Sequence, residues 1–402
     1  MPTLLLGSNF SGRSAWLAAR RRQRSWPEIG LLGPFPDLAC TALASTVREE
    51  LEVAAICRVR QEFSHLRNSL ALEGLLQHEM HALSGGEAVR VALASIAAQG
   101  IEELHVDTAL EQLDQNWRHR ILTLLRNSPT DLANRIFVSD NHIAEDELEF
   151  FASTIEFPLP SGDAKRHPHS LDPAAAGGLI SKLDAGPISI EQVSFSYGRR
   201  SPPVFHKVSL TLEPGSLYFL CGDNGSGKST FVKLLSGTLL PREGGIRYGT
   251  EDFRPTRSSR RFASLAFQNP DFQWTSQTVQ SELAKTRSWM HSDSSKHDLL
   301  PIFGMPEDVI QSNPNELPFA LKKRLGIALA VLSGKPWLVL DEPTLGQDKR
   351  YQNALADLLG GAVACGTGVM VISHDAAFRS LLPRSQNLVF RNATIAPDSG
   401  RM

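Results

Sequence analysis

Cysteine is scarce in this chain of 402 residues: there are four, Cys40, Cys57, Cys221 and Cys365, and no two of them form a C-x-x-C pair. That leaves zinc and thioredoxin-like chemistry without support, and scattered thiols fit a reducing compartment better than a disulfide framework. Charge of one sign is also lacking. Lys and Arg number 41 against 43 Asp and Glu, a formal net charge of -2, so the basic surplus of a dedicated nucleic-acid binder is missing and no direct nucleic-acid contact is expected. No apolar run approaches the roughly 18 residues that a membrane span needs. The opening MPTLLLGSNFSG has no charged n-region and a short apolar run, unlike a signal peptide. These absences predict a cytoplasmic chain whose membrane role, if any, comes through a partner. The densest basic stretch, Arg20-Arg21-Arg22-Gln23-Arg24, reads as a solvated surface after a helix.

What is present is a duplicated order of landmarks. One segment covers residues 1–157 and a second covers 188–402, and the Pro-, Gly-, Ala- and Ser-rich stretch 158–187 between them reads as a linker. His167 and His169 lie in that stretch without further ligands nearby, which argues against a metal site. In the second segment ISIEQVSFSY alternates as a half-buried strand does, and VSLTLEPG reads as a second strand ending in a turn. LYFLCG, PWLVLDEP and VMVISHD are continuously apolar, as buried parallel strands are. STFVKLLSG has helical spacing and a glycine stop. Strands alternating with helices predict an α/β fold with a parallel sheet and sites at the carboxyl ends of its strands.

Two motifs carry chemistry. Gly222-Asp223-Asn224-Gly225-Ser226-Gly227-Lys228-Ser229-Thr230 follows an apolar strand and opens a helix, the setting that G-x-x-x-x-G-K-[ST] requires. Its glycines let backbone N–H groups turn inward around the phosphates of ATP, and the helix N-terminus adds partial positive charge. Lys228 reaches the β- and γ-phosphates and the Ser229 hydroxyl ligates Mg²⁺. Downstream, Leu338-Val339-Leu340-Asp341-Glu342 is an apolar strand ending in two carboxylates. Asp341 is expected in the magnesium shell, and Glu342 is expected to polarise the attacking water as general base.

With those residues in place the chain resembles the ATP-binding-cassette (ABC) ATPases over nearly its whole length apart from the linker. Asp341-Glu342-Pro343-Thr344 followed by Leu345-Gly346-Gln347-Asp348 is similar to the Walker B and D-loop of that family. Ser373-His374-Asp375 is similar to its switch, which implies that His374 contacts the γ-phosphate. Phe267-Gln268-Asn269-Pro270-Asp271-Phe272-Gln273 is similar to its Q-loop, which implies that Gln268 lies near the magnesium and the water. Tyr197 matches the adenine-stacking aromatic, with a core aromatic as the rival reading. In the first segment Leu83-Ser84-Gly85-Gly86-Glu87, set before a helical VRVALASIAA and an acid-ended ELHVD, resembles the signature that offers N–H groups to the γ-phosphate. The fold implied is a tandem of P-loop ABC ATPase domains, each with a parallel sheet core and a helical signature subdomain, the N-terminal half truncated.

The departures are uneven. In the first half the P-loop reads Gly7-Ser8-Asn9-Phe10-Ser11-Gly12-Arg13-Ser14, with Arg13 in place of lysine. Arginine's larger planar fork does not replace lysine in a tight phosphate cradle. Thr108 follows Asp107 where a general base belongs, and threonine cannot accept a proton near neutral pH. Asp140 stands at the switch position, the Q-loop region LGPFPD has no glutamine, and no adenine-stacking strand precedes the P-loop. In the second half the signature position reads Leu317-Pro318-Phe319-Ala320-Leu321, without Ser-Gly-Gly. The family pairs the P-loop of one half with the signature of the other. That pairing sends all the damage to one composite site and leaves the other complete, built from the second-half P-loop and the first-half signature.

PTLGQD and FQNPD further resemble the ATPases of energy-coupling-factor (ECF) importers for vitamins and metal ions. This resemblance implies transmembrane subunits as partners, a small substrate-binding membrane protein among them, a peripheral position on the cytoplasmic face, and a cleft beside the Q-loop that Phe272 and Trp274 could line, with ordinary core aromatics as the rival reading. The alternatives are a soluble ABC ATPase acting on ribosomes or DNA, and the ATPase subunit of an exporter.

Overall fold

The computed structural model describes the chain outside residues 7–12, 23–28, 35, 42, 56–66, 81–82, 84, 129–131, 133, 141–142, 158–170, 179, 181–185, 199–201, 223–225, 250, 253–261, 288–298, 374, 383 and 398–402. It divides into two compact units, Met1–Gly162 and Asp163–Met402.

In the first unit five short strands pair in parallel: β1 (Thr3–Leu6), β2 (Ile29–Leu32), β3 (Glu103–Asp107), β4 (Ile136–Ser139) and β5 (Ser153–Glu156), in the order β2-β3-β4-β1-β5. Both faces of the inner strands are covered, which is why their sequences run apolar instead of alternating. Helices α1 (Arg13–Arg22), α2 (Val47–Ala55), α3 (Gly85–Ala98) and α4 (Gln115–Arg126) accompany the sheet. Leu4, Val106, Val138, Ile96 and Leu122 are buried in the core. One correction belongs here. Arg20 is not a solvated end of α1: its Nε and Nη2 donate to the two oxygens of Glu103 at 2.6 and 3.0 Å, and its guanidinium lies 4.5 Å from the centre of the Phe137 ring. Glu103 is wholly buried and also meets His105 Nε2 at 2.7 Å, so the charge of Arg20 compensates a carboxylate inside the unit.

The second unit holds two sheets. Strands β8 (Leu217–Cys221), β11 (Ala263–Ala266), β12 (Trp337–Asp341), β13 (Gly368–Ile372), β14 (Gln386–Arg391) and β15 (Thr394–Pro397) form a sheet of order β11-β12-β13-β8-β14-β15, parallel except at its β14–β15 edge. With β15 set aside, this is the order of the first unit repeated. The strands expected at ISIEQVSFSY and VSLTLEPG exist, but they belong to a separate antiparallel sheet. There β6 (Ile188–Phe195) lies between β7 (Phe205–Leu212) and β9 (Glu243–Tyr248), with β10 (Glu251–Asp252) at the edge. Their alternating patterns were the mark of a half-buried sheet outside the parallel core. Among the described residues the first unit has no counterpart of this sheet.

The linker expectation also needs correcting over part of its length. Leu171 pairs with Phe303, and helix α5 (Pro173–Gly178) packs Ala176 out of solvent against α10 (Lys349–Ala364). Small residues there serve close packing, not looseness. Residues 158–170, with His167 and His169, lie outside the described residues.

Candidate functional site

Parallel register gathers the second unit's motifs at one edge. Asp341, last in β12, is level with Ile372, last in β13, which is level with Leu220 near the end of β8. Ala266 of β11 is level with Leu340. The loops that leave these strands carry Gly222 to Lys228, Gln268, Glu342 and Ser373, so the sheet brings the predicted P-loop, Q-loop, Walker B and switch segments to a common edge.

The P-loop demands its glycines sterically at two described positions. Gly222 has φ +151°, and a Cβ there would lie 2.7 Å from the Phe390 carbonyl. Gly227 has φ +104°, with a Cβ 2.8 Å from Val204. After Gly227 the helix α6 (Lys228–Leu235) starts, and Lys228 folds back to donate to the Gly222 carbonyl at 2.7 Å. Ser226 Oγ is buried and has no hydrogen-bond partner among the described residues, as suits a hydroxyl facing a phosphate. Asn224 and Gly225 lie outside the described residues.

Tyr197 is 60% exposed, so the core reading fails. Its hydroxyl is 2.9 Å from Thr230 Oγ1 and its ring rests edge-on against Phe195, 5.2 Å between centroids. These contacts hold an open aromatic face beside the P-loop helix.

Glu342 sits in the left-handed region, φ +44°, with its N–H on the Ile372 carbonyl at 2.8 Å. Burial pushes the Asp341 carboxyl up to about 6, against the pull of Lys323, Lys228 and Lys233. A carboxylate so placed suits a cation. The Ser229 hydroxyl and the Gln268 amide are oxygen donors of the kind Mg²⁺ takes, and neither is engaged by a hydrogen bond among the described residues. The three therefore fit the metal chemically. Ser373 and Asp375 anchor the switch, Asp375 N–H donating to Ser373 Oγ at 3.1 Å. His374 itself lies outside the described residues.

In the first unit the same positions hold other side chains. Thr108 keeps the left-handed backbone, φ +57°, and the ladder bond to Ser139 at 2.7 Å, yet offers only a hydroxyl, which donates to the Asp107 carbonyl. Arg13 is buried and donates to the Asp140 carbonyl at 2.5 Å. The Asp140 carboxylate is bound to Arg118 at 2.9 Å, and Arg118 also holds Glu147. The signature helix α3 begins at Gly85. Gly85 faces the Gln112 side chain, and Gly86 and Glu87 follow in its first turn. Ser84 lies outside the described residues.

Sequence reasoning passed over several residues that shape the site. Helix α9 (Phe319–Leu332) contributes the buried Lys323 and Arg324. Arg324 donates to Gln347 Oε1 at 2.9 Å and to the Gly304 carbonyl at 2.6 Å, and its guanidinium lies over Tyr351, fixing the D-loop. Gln273 pins the Q-loop, accepting from Phe267 N–H at 2.9 Å and donating to the Leu265 carbonyl at 3.2 Å. The available signal was repetition. Thr46-Val47-x-x-Glu50-Leu51 recurs as Thr278-Val279-x-x-Glu282-Leu283. Glu50 accepts from Thr41 N–H, and Glu282 accepts from Thr275 and Ser276 N–H. Each half thus caps the loop that follows its Q-loop position with a buried carboxylate.

The ABC transporter family model matches residues 205–345. The segment that holds the P-loop and the acid-ended strand is therefore an ABC transporter domain. The chain is 29% identical over 221 residues to the putative HMP/thiamine import ATP-binding protein YkoD of Bacillus subtilis, a match covering 54% of this chain and 38% of that protein. The chain thus spans under half the length of that relative. It is 23% identical over 394 residues to a putative ABC transporter ATP-binding protein of Bacillus thuringiensis, covering 85% of this chain and 71% of that one. Among solved structures, one of ribosome-bound archaeal Pelota and ABCE1 matches at TM-score 0.62 and 20% identity, over 99% of this chain and 74% of that chain. That likeness is one of fold. No helix among the described residues is long and apolar enough to cross a membrane.

Proposed function

We propose that this chain hydrolyses ATP at one site per chain and energises a membrane transporter, an importer of the ECF type. The observation that carries the single-site reading is the shared left-handed turn after the acid-ended strand. It presents a carboxylate at Glu342 and a hydroxyl at Thr108, from the same backbone conformation. Only the first can take the proton of an attacking water.

In this reading Tyr197 stacks on adenine. The N–H groups of Gly222 to Thr230, Asn224 and Gly225 among them, enclose the phosphates. Lys228 exchanges the Gly222 carbonyl for the β- and γ-phosphates. Glu342 accepts the proton of the water, and His374 donates to the γ-phosphate. Ser229, Gln268 and Asp341 hold Mg²⁺, which when bound neutralises phosphate charge. Ser84, Gly85, Gly86 and Glu87 of the first half present the signature to the same nucleotide, so that the halves pair within one chain. Arg13, already bound to Asp140, and the signature lost at Pro318 to Ala320 support a second site without hydrolysis.

Import is supported by the name of the YkoD relative. The exposed Phe272, at 78% of its free surface, and the part-buried Trp274 follow the Q-loop. They suit the apolar side of a transmembrane subunit's cytoplasmic helix, which would hold the chain at the cytoplasmic face of the membrane.

The test is Glu342→Gln. ATP should remain bound while hydrolysis falls by about 10²–10⁴-fold. A rate near that of the wild type would remove Glu342 from the role and end the single-site reading.

A further inference from the structure

The first unit supplies an internal reference for the second. From Leu83 to Asp114 the sequence aligns without a gap with Leu317 to Asp348. Helices α3 and α9 both run 14 residues and are followed by acid-ended strands of equal length. Under this alignment Arg90 matches Arg324, Thr108 matches Glu342, and Val89 matches Lys323. Val89 is an ordinary core residue with no exposure. Lys323 occupies the same place in its own fold, also buried, with an ammonium in place of an isopropyl group.

That substitution calls for a reason, because a buried ammonium is expensive unless its donors are used. All three are accounted for. Lys323 Nζ lies 3.2 Å from the Phe267 carbonyl, 3.2 Å from that of Gln268 and 2.9 Å from that of Asp341. These are the residues at which β11 and β12 part company. The last rung of their ladder joins Ala266 to Leu340, and one ammonium takes over where the ladder stops. It ties the backbone of the Q-loop glutamine to the backbone of the Walker B aspartate. In the first unit, where no general base stands, the matching helix position is apolar and the fold forms regardless.

We propose that Lys323 is a positioning residue for the hydrolytic site: from the helix whose own signature is lost, it holds Gln268 and Asp341 at the separation a magnesium–ATP complex requires. The proposal rests on the reading that places Gln268 and Asp341 in the magnesium shell. It gives α9 a task within its own half after its N-terminus has ceased to serve a nucleotide.

The test replaces Lys323 by the residues the fold already accepts there or nearly matches, Lys323→Val and Lys323→Met, in the full chain. Four quantities are read: melting temperature, affinity for a fluorescent ATP analogue in EDTA, Mn²⁺ affinity of the ATP-bound protein by electron paramagnetic resonance, and steady-state hydrolysis. Melting temperature should fall by no more than a few degrees, since three carbonyls lose a donor while a buried charge is removed, and metal-free nucleotide affinity should stay within about two-fold. Mn²⁺ affinity should fall by about ten-fold and kcat by about 10–100-fold, the scale of a displacement of about 1 Å among reacting groups. Turnover within about two-fold of wild type with unchanged Mn²⁺ affinity would overturn the proposal. So would a joint collapse of melting temperature and metal-free nucleotide binding, which would make Lys323 merely structural. Asp341→Asn in the same assay separates the two claims: if it leaves Mn²⁺ affinity intact, the magnesium-shell reading has failed on its own account.

Discussion

A left-handed residue after an acid-ended strand occurs twice in this molecule, once as Glu342 and once as Thr108. A β-branched side chain is strained there, by about 1–2 kcal/mol, and nothing in the chemistry of the first half rewards it. The conformation is therefore set by the fold, and the carboxylate proposed as the general base is an addition to it. A direct consequence follows: in a Glu342→Gln background, Thr108→Glu should leave hydrolysis at the level of the single variant. The backbone at Thr108 is ready, but Arg13 is committed to Asp140 and the opposing signature is gone. Recovery toward the wild-type rate would show that the missing base was the first half's one defect. Tyr197 is held by Thr230 and Phe195 with its face open. Stacking on a base is worth about 1–3 kcal/mol, so Tyr197→Ala should raise KM for ATP by about ten-fold with a smaller change in kcat, and an unaltered KM would remove adenine from the account of this residue. Asp341 adds a pH dependence. Its carboxyl is raised by burial to about 6, above its unfolded value, so the native state binds the extra proton. Stability is then full below the unfolded pKa and is lost as pH rises from about 4 through 6. In EDTA, Asp341→Asn should raise the melting temperature at pH 8, with the gain shrinking as pH falls below about 6. Equal gains at pH 4 and pH 8 would contradict the assignment.

Elements were legible to the degree that their residues repeat a chemical demand. The P-loop and the acid-ended strand were readable because phosphate and magnesium dictate residue types at fixed spacing. Both lie where expected, at the carboxyl edge of a parallel sheet. Lys323 was not readable. In the sequence it is one lysine of a basic pair following a ruined signature, and its role depends on where two strands diverge, which spacing does not encode. The run at Arg20 misled for the opposite reason, since its partner Glu103 is distant in sequence and buried. Small residues misled over 171–178, where alanine serves helix packing instead of looseness. Glu50 and Glu282 could have been found by comparing the halves. Each caps a loop from within a helix, α2 in the first unit and α7 (Val279–Arg287) in the second. Glu282 accepts from two successive backbone amides, and leaving those donors unpaired costs about 1–3 kcal/mol. Glu282→Ala should therefore lower stability by about that amount and loosen the exposed Phe272 segment, while ATP affinity stays within about two-fold. Unchanged hydrogen exchange at Thr275 and Ser276 would show that the cap does not hold the loop.

At the scale of the whole chain, the two halves depart from the motifs at complementary positions, and the proposal that they pair rests on that complementarity. The decisive residue is Gly86. A Cβ added there meets the Gln112 carbonyl at 3.6 Å and Leu113 at 3.7 Å, ordinary contacts, so the first unit accepts a larger residue without distortion. Gly86→Ala is then a fair control for folding, with a small change in melting temperature. Gly86→Asp adds a carboxylate on the signature helix. If the first-half signature closes on a nucleotide held by the second half, that charge faces the γ-phosphate in a partly dry site, and repulsion should stop hydrolysis. Binding should persist, because Lys228 and its glycine loop are untouched. The matching change in the second half, Ala320→Asp, should do little. What Ala320 supplies to its surroundings is a backbone carbonyl that accepts from Gln347 at 3.1 Å, and the substitution leaves that carbonyl in place. Steady-state hydrolysis and ATP affinity of the three variants, measured with the proposed membrane partner where the free chain is slow, settle the matter. Full activity in Gly86→Asp, or collapse in Ala320→Asp, would mean that the complete site draws its signature from somewhere other than the first half of the same chain.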